Sequence, residues 1–261
     1  MKRVCFLSAV ACFCAGIVLS GCNKDNGPGT SSVKSIVAQV VNGVNFNSEI
    51  DDVKAVMFYG EEENDYVVAE GTYRNGGFTI LLPDAVDNKY LEGIGNLELT
   101  EEFGEGLPDG IKVSDPTARM GYINIEGYKS DEYIDDFIYA KFQISENKIS
   151  VVGGGFCYVD KDVKITGSVS EVEDGYKMTI SFNIFFKKGW NIMYASLSAT
   201  KTGMTISATT KDPGGMKWYY EGDDDLDFLD LFSAQYQPET VTRFSMDKSK
   251  LFSPIKFLEV K

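Results

Sequence analysis

Histidine is absent from all 261 residues of the chain. Its absence excludes the serine–histidine–aspartate triad, most zinc sites and the side chain that most often serves as a general acid or base. Cysteine is almost as scarce: Cys5, Cys12, Cys14 and Cys22 lie near the N-terminus, and only Cys157 lies in the body of the chain. A single cysteine there cannot form an intrachain disulfide, so stability must come from a packed core.

Positive charge is also in short supply, with 25 lysines and arginines against 39 aspartates and glutamates and a formal net charge of −14. Such an acidic field repels nucleic-acid phosphates and anionic lipid headgroups, so we expect no nucleic-acid partner. Hydrophobic residues make up 43% of the chain and aromatic residues 13%. This composition is sufficient for a packed core and argues against general disorder.

The N-terminus has the outline of a secretory signal. Lys2 and Arg3 precede an uncharged apolar stretch from Val4 to Leu19, which is shorter than the roughly 20 residues that a membrane-spanning helix needs. We therefore predict a signal peptide at residues 1–21. Lys2 and Arg3 are its only charges, so its removal would change the net charge from −14 to −16.

The signal ends in Leu19-Ser20-Gly21-Cys22, which resembles the lipobox of bacterial lipoproteins. The resemblance implies that a lipoprotein signal peptidase recognises Leu19, Ser20 and Gly21, and that the thiol of Cys22 carries the lipid. Two or three acyl chains hold a protein stably on a membrane, at about 0.8 kcal/mol per buried methylene. The alternative is an ordinary signal peptide that happens to end near a cysteine.

Asn23-Lys24-Asp25-Asn26 follows the lipobox cysteine and resembles the export signal of surface lipoproteins in Bacteroidetes-type bacteria. It implies a lipid-anchored outer-membrane protein at the cell surface, with the inner leaflet of that membrane as the alternative. The stretch from Gly27 to Ser32 is rich in glycine, proline and serine. Residues 22–34 are therefore predicted to form a flexible tether.

Short runs of β-branched and aromatic residues recur up to about residue 220, and long segments of helical periodicity are absent. This pattern predicts an all-β fold of antiparallel β-sandwich type, in one or two domains. The predicted strands are 35–42, 53–60, 66–73, 77–82, 119–128, 133–143, 149–158, 161–169, 176–187, 190–199, 204–210 and 216–220.

Two glycine-containing segments predict tight turns between neighbouring strands. Asn75-Gly76-Gly77 separates an apolar run that ends at Tyr73 from one that begins at Phe78, and Lys187-Lys188-Gly189 separates two further runs in the same way. Glycine and asparagine accept the positive φ that such turns require. Each segment therefore predicts a hairpin in which its two flanking strands pair.

The strand pattern is interrupted at 83–118, where one short helix is predicted around 85–91. We therefore predict an N-terminal β domain at 35–118, which includes this irregular region, and a C-terminal β domain at 119–261. Near the end of the chain, acidic and apolar residues at 221–232 predict a short acidic helix. One or two strands are predicted after it.

Three short motifs occur in the order used by penicillin-binding proteins and serine β-lactamases: Ser145-Glu146-Asn147-Lys148, Ser181-Phe182-Asn183 and Lys201-Thr202-Gly203. That chemistry requires the serine and the lysine to lie one turn apart on a helix. Ser145 is instead predicted in an exposed polar turn between two strands. We interpret the motifs as chance matches, and Cys157, in an apolar strand-like run, as a buried structural residue.

Acidic residues near the C-terminus are candidate metal ligands. Asp223, Asp225 and Asp227 could offer carboxylate oxygens to calcium, but the spacing does not match an EF-hand loop. A solvated acidic face is the favoured interpretation. We therefore expect no bound metal and no cofactor.

Aromatic residues provide the candidate binding residues. Trp218, Tyr219 and Tyr220 are of the types that stack on sugar rings or anchor protein interfaces. Trp218, like Trp190, lies within a predicted strand, where core packing is the favoured interpretation. Tyr219 and Tyr220 should point to opposite faces of their strand, which leaves one of them available for binding.

A resemblance covers most of the chain beyond the signal peptide. The runs from Val53 to Tyr59, Asn75 to Pro83, Lys187 to Tyr194 and Gly215 to Tyr219 resemble those of uncharacterised Bacteroidales lipoproteins of the outer membrane or cell surface. The resemblance implies a location and a β-rich fold but no activity. We expect a non-catalytic surface binding or assembly module whose partner is an envelope protein or a glycan. The alternative is a carbohydrate-active hydrolase that uses paired carboxylates.

Overall fold

The computed structural model describes residues 33–59, 64–94, 97–99, 109–145, 147–173, 175–221 and 258–260. The predicted signal peptide, the lipidation site and the predicted acidic helix lie outside these residues. None of the helices within them is both long and apolar enough to cross a membrane.

β-Strands alternate with short turns along almost all of the described chain. The strands are β1 (Ser35–Gln39), β2 (Asp52–Tyr59), β3 (Asn64–Thr72), β4 (Gly77–Leu81), β5 (Glu92–Gly93), β6 (Leu97–Leu99), β7 (Lys112–Val113), β8 (Arg119–Lys129), β9 (Glu132–Ser145), β10 (Lys148–Val159), β11 (Val163–Glu173), β12 (Tyr176–Phe186), β13 (Gly189–Thr200), β14 (Gly203–Thr209), β15 (Lys217–Tyr220) and β16 (Leu258–Val260). Single 3₁₀ turns occur at Gly43–Phe46 and Asn88–Tyr90. The predicted all-β fold is confirmed.

A 12-stranded sheet organises the molecule, in the order β3-β2-β8-β9-β10-β13-β14-β12-β11-β7, with β5 added beside β8 and β15 beside β9. Neighbouring strands are antiparallel, except that β12 and β14 run parallel. β1 and β4 form a separate two-stranded sheet, and β6 pairs with β16. This large sheet and the β1–β4 pair give the sandwich-like layering that the sequence predicts.

Buried side chains form two cores on opposite faces of the large sheet. In β10, Phe156 and Tyr158 belong to the first core, whereas Cys157 and Val159 belong to the second. This alternation follows from the two-residue period of a strand that is buried on both sides. Cys157 is 0% exposed, and burial raises the pKa of its thiol. Its predicted role as a structural residue agrees with this environment.

The turn predicted at residues 75–77 forms, but the hairpin predicted around it does not. Asn75 and Gly76 have φ of 54° and 76°, and Arg74 and Gly77 exchange backbone hydrogen bonds of 2.9 and 3.2 Å. Beyond this turn, β3 pairs with β2 and β4 pairs with β1. The prediction fails because β4 buries Phe78 in the first core and therefore leaves the plane of β3.

The second predicted hairpin, around Lys187 to Gly189, is also wrong in its pairing. β14 lies between β12 and β13, and it pairs with the first in parallel and with the second antiparallel. The turn itself is held by Asn191, whose Oδ1 accepts from the backbone N–H of Lys187 at 3.0 Å and whose Nδ2 donates to the carbonyl oxygen of Lys187 at 2.7 Å. A local turn signal does not reveal that a later strand is inserted.

The helix predicted around 85–91 is replaced by the 3₁₀ turn at Asn88–Tyr90. Asp87 begins the turn, since its side chain accepts from the backbone N–H of Lys89 at 3.1 Å. Val86 and Leu91 are buried, and their five-residue separation does not place them on one face of a helix. Burial of these two side chains therefore favours an irregular path.

Backbone pairing crosses the predicted domain boundary at residue 118. β2 pairs along its length with β8, and the first core contains both Val53 and Phe137. The division into domains at 35–118 and 119–261 stays a prediction about independent folding. At the start of the described chain, Val33 donates a backbone hydrogen bond of 2.9 Å to Trp190, and Lys34 pairs with Asp84. These two residues of the predicted tether are thus joined to the sheet.

Candidate functional site

Hydroxyl side chains align in rows across one face of the large sheet. In the first row Ser150 of β10 lies opposite Ser198 of β13, and Ser198 lies opposite Thr205 of β14. Thr205 then lies beside Thr179 of β12, and Thr179 lies opposite Ser170 of β11. Because paired residues share a face, five hydroxyls lie side by side across five strands.

Two further rows run beside the first. Ser196, Ser207, Ser181 and Ser168 are successive partners on β13, β14, β12 and β11. The third row consists of Thr209 on β14, Asn183 on β12 and Thr166 on β11. We call the whole surface the hydroxyl face; it comprises Ser150, Thr166, Ser168, Ser170, Thr179, Ser181, Asn183, Ser196, Ser198, Thr205, Ser207 and Thr209.

The hydroxyl face exists because apolar residues occupy the alternate positions of the same strands. Ile180, Phe182 and Ile184 of β12 and Ala208 of β14 are buried in the second core. The intervening side chains must then point to the other side of the sheet. Ser150 is 9% exposed, and the other members of the face are half-buried or exposed.

Several of these hydroxyls bond to one another. Ser150 and Ser198 are 2.9 Å apart, Ser196 and Ser207 2.7 Å, and Ser170 and Thr179 2.9 Å, each between hydroxyl oxygens. A hydroxyl provides one donor and two acceptor positions. One such pair uses one donor and one acceptor, so each pair retains one donor and three acceptors for a ligand or water. The hydroxyls of each pair therefore orient one another and can still form hydrogen bonds with a ligand or water.

The charge of the hydroxyl face differs from that of the whole chain. The positions that share this face, from Tyr139 on β9 to Val172 on β11, include no aspartate or glutamate. They do include Lys141, Lys164 and Lys177. The whole chain has a formal net charge of −14, whereas the charged side chains on this face are all basic.

The aromatic binding candidates on β15 do not form one exposed surface. Trp218 and Tyr220 are 6% and 3% exposed and belong to the first core. Tyr219 is half-buried and packs edge-on against Phe142, with ring centroids 5.4 Å apart. The prediction that Tyr219 and Tyr220 face opposite sides agrees with this arrangement. Trp190 is also buried, and its Nε1 donates to the carbonyl oxygen of Pro83 at 2.8 Å.

A pair of carboxyl groups lies on the face of the sheet opposite to the hydroxyl face. Glu126 of β8 and Asp136 of β9 are direct cross-strand partners, and Glu126 is only 6% exposed. The Tyr128 hydroxyl donates to Oε2 of Glu126 at 2.6 Å. Burial, followed by the charges of Glu126 and Glu221, raises the pKa of Asp136 to about 7. Burial also raises the pKa of Glu126.

A glycoside hydrolase needs two carboxyls that can act as an acid and a base, and it needs room for a sugar between them. The raised pKa values of Glu126 and Asp136 meet the first requirement. Lys54, the cross-strand partner of Glu126 on β2, lies 4.0 Å from the ring centroid of Tyr128 and 3.7 Å from Asp131. Lys54, Tyr128 and the strand backbones thus surround Glu126. Its low exposure leaves little room for a sugar between the two carboxyls.

The three acyl-transfer motifs lie near the hydroxyl face but do not form a buried serine–lysine site. Ser145 ends β9, is exposed, and donates to the carbonyl oxygen of Lys148 at 3.1 Å. The Ser-x-x-Lys spacing therefore spans a β-hairpin instead of a helical turn. Ser181 belongs to the hydroxyl face, and Lys201 and Thr202 form the exposed turn between β13 and β14.

Metal-site geometry is absent from the described part of the chain, where no group of three or more histidine, cysteine, aspartate or glutamate residues could hold an ion. Asp223, Asp225 and Asp227 lie outside the described residues, so their predicted solvated arrangement stays a prediction. The same holds for Leu19, Ser20, Gly21 and Cys22.

Two aliphatic side chains stand out on the outer face of the β1–β4 pair. Val37 is 68% exposed and Leu81 is 73% exposed. Beside Val37, a groove of about 400 Å³ extends to Arg74 and Asn75.

The hydroxyl face was missed in the sequence, although its signal is present there. Serine or threonine recurs at every second position in Ser196 to Thr200, Thr205 to Thr209, and Thr166 to Ser170. Such alternation predicts strands. The alternate positions that carry serine and threonine also predict a hydroxyl-rich face. The order of the strands within that face does not follow from this alternation.

No protein-family model, curated protein or solved structure matches this chain.

Proposed function

We propose that this protein is a non-catalytic, lipid-anchored binding module of the outer membrane, exposed at the cell surface, and that its hydroxyl face binds a glycan. The lipobox and the polar residues after Cys22 support the location. The rows of hydroxyls across β10, β13, β14, β12 and β11 are the observation that supports the ligand.

Hydroxyl rows suit a glycan because both partners offer donors and acceptors in the same group. Within a row, neighbouring hydroxyls on adjacent strands are about 4.8 Å apart, and successive rows are separated along the strands by about 6.8 Å. A sugar chain laid across them meets a new hydroxyl at each of these intervals. Each hydrogen bond contributes about 0.5–1.5 kcal/mol, so affinity depends on several rows acting together.

A binding role without catalysis is supported by the side chains around the hydroxyl face. The chain contains no histidine, and the exposed hydroxyl of Ser145 bonds to the backbone of its own hairpin. The hydroxyl face itself contains no carboxylate that could serve as an acid, a base or a nucleophile.

Retention on a panel of immobilised polysaccharides tests the proposal, with the purified, lipidated full chain in detergent. Thr179→Val together with Thr205→Val replaces two neighbouring hydroxyls by methyl groups of the same shape. We expect this double variant to lose at least tenfold in affinity for any glycan that the natural chain retains. The control is Thr79→Val, which removes an exposed strand hydroxyl from β4. Equal retention of all three proteins, or of none, would contradict the proposal.

The second candidate function is a hydrolase that uses Glu126 and Asp136. The observation in its favour is their cross-strand position together with the raised pKa of Asp136. Release of reducing ends from the same polysaccharide panel tests it. Hydrolysis by the natural chain that is abolished by either Glu126→Gln or Asp136→Asn would favour this function over the binding module.

A further inference from the structure

Lysines lie at both ends of the strands that form the hydroxyl face. Lys177 begins the exposed face of β12 beside Gly203, and Lys148 begins β10 opposite Ser145. At the other end Lys164 lies opposite Phe185, with its Nζ 5.5 Å from the ring centroid. The backbone distance from Lys177 to Phe185 is about 27 Å along the strand at about 3.4 Å per residue.

These lysines are not neutralised by carboxylates of the described chain. Ion pairs within the described residues involve Lys34, Lys54, Lys129, Lys161 and Lys187, all outside the hydroxyl face. Lys141, on the β9 side, instead donates to the backbone carbonyl oxygen of Gly214 at 3.0 Å. Among the described residues, therefore, no carboxylate forms an ion pair with the lysines of this face.

We propose, on the basis of the glycan-binding function above, that the ligand is an acidic polysaccharide whose sugars carry carboxylates. Its hydroxyls would bond to the serine and threonine rows, and its carboxylates would lie near Lys148, Lys164 and Lys177. The 27 Å between the two ends suits an oligosaccharide stretch better than a single sugar.

Nucleic acid, the other common polyanion, fits this face less well. Single-stranded nucleic acids are bound by grooves that combine positive charge with aromatic side chains on which the bases stack. Tyr194, which lies opposite Thr209 in the third row, is 5% exposed, and Tyr139 stacks on Trp218 with centroids 5.0 Å apart. Neither ring is presented as a stacking platform.

The overall negative charge of the chain does not prevent such binding at physiological ionic strength. Charges more than about 8 Å from the ligand are largely screened at 0.15 M salt. The local surface then decides, and on this face it contains lysines and no carboxylates.

Binding of the lipidated full chain to polygalacturonate, to neutral dextran and to a single-stranded oligonucleotide tests the inference. We expect polygalacturonate to bind most tightly and its affinity to fall as sodium chloride increases. The double variant Lys148→Gln and Lys177→Gln should weaken that binding at least tenfold. The matched control, Lys89→Gln with Lys188→Gln, removes the same charge outside the face and should bind as the natural chain does. Unchanged thermal unfolding would show that each variant is folded.

Three results bear on this inference, and the first of them separates it from the proposed function. Binding of dextran without preference for polygalacturonate would overturn the acidic ligand and leave the glycan-binding function standing. Failure to bind either polysaccharide would overturn both. Oligonucleotide binding that is as tight as polygalacturonate binding, and equally sensitive to the lysine variants, would show a general polyanion surface and would also overturn the inference.

Discussion

The pair formed by Glu126 and Asp136 makes a specific prediction about stability and pH. Burial and the neighbouring carboxylates raise the pKa of Asp136 from 3.8 to about 7, so the folded state keeps a proton that the unfolded state releases near pH 4. The stabilisation from this proton is fully present below the unfolded-state pKa and is lost as pH rises through about 7. The protein should therefore become less stable between pH 5 and pH 8.

The charged neighbours of Asp136 explain this direction. Asp135 lies next to it on β9, and Glu221, at the end of β15, donates its backbone N–H to the Asp136 carbonyl oxygen at 2.8 Å. These two carboxylates and Glu126 all raise the pKa of Asp136, whereas the hydroxyl of Tyr133, 3.4 Å from Oδ1, lowers it. Lys54 of β2 forms an ion pair with Asp131 and acts on the pKa of Glu126, which it lowers.

The expected magnitude follows from the pKa of Asp136. Its increase from 3.8 to about 7 corresponds to about 4 kcal/mol between the protonated and ionised forms. Integrating the proton uptake gives a loss of about 2–3 kcal/mol in the free energy of unfolding between pH 5 and pH 8. Glu126, whose pKa is also raised, titrates with Asp136 as a pair and adds to the loss.

Other carboxyls act in the opposite direction, but at lower pH. The pKa values of Asp51, Asp84 and Asp162 are lowered by hydrogen bonds from Lys129, Lys34 and Lys187 respectively. Stability that depends on these groups is present above pH 4 and is lost as pH falls through their lowered values. Among the carboxyls of the described residues, the Glu126–Asp136 pair therefore governs the interval from pH 5 to pH 8.

Urea unfolding followed by tryptophan fluorescence at pH 5, 6, 7 and 8 measures this effect. Asp136→Asn keeps the shape of the side chain without its ionisation, so the variant should lose most of the pH dependence of the unfolding free energy and keep only the smaller part that comes from Glu126. Asp109→Asn, at an exposed aspartate, is the control and should keep the slope of the natural chain. A natural chain that is equally stable at pH 5 and pH 8, or an Asp136→Asn variant that keeps the slope, would refute the reasoning.

Three further changes have definite expected outcomes. Cys22→Ser should block lipid attachment and leave an unprocessed precursor, whereas incorporation of labelled palmitate into that variant would contradict the predicted lipobox. A fluorescent penicillin should not label the natural chain covalently; labelling that disappears in Ser145→Ala would show that the acyl-transfer motifs are functional. Gly71→Ala should lower stability by about 1–3 kcal/mol through overpacking, because its Cβ would lie 2.3 Å from the carbonyl oxygen of Thr79; an unchanged urea midpoint would show that β3 and β4 separate easily at this point.

Strand positions were predictable from the sequence because they depend on local alternation. The strand predicted at 176–187 is β12 at Tyr176–Phe186, and the strand predicted at 133–143 lies within β9. Partners were less predictable, since pairing depends on which surfaces must be buried together. The parallel insertion of β14 beside β12 joins strands that are separated along the chain by β13, and no turn signal records it.

In the candidate sites too, the local pattern could be predicted from the sequence, whereas the pairing of strands could not. Alternating serines and threonines at 196–200 and 205–209 mark a polar face within the sequence, but their alignment into rows depends on the order of strands in the sheet. Glu126 and Asp136 meet because a turn with φ of 52° at Ser130 and 67° at Asp131 fixes the register of β8 and β9. A bulge next to Gly127 shifts that register further, and no sequence pattern indicates this bulge.

The most direct test of the proposed function locates the bound glycan on the protein. Threonine methyl groups labelled with carbon-13 report contacts at individual side chains when the lipidated chain is titrated with a fragment of the glycan that it binds. The proposal predicts shifts at Thr166, Thr179, Thr205 and Thr209, with Thr79 of β4 unchanged. Shifts confined to threonines outside the hydroxyl face would contradict the claim that this face is the binding site.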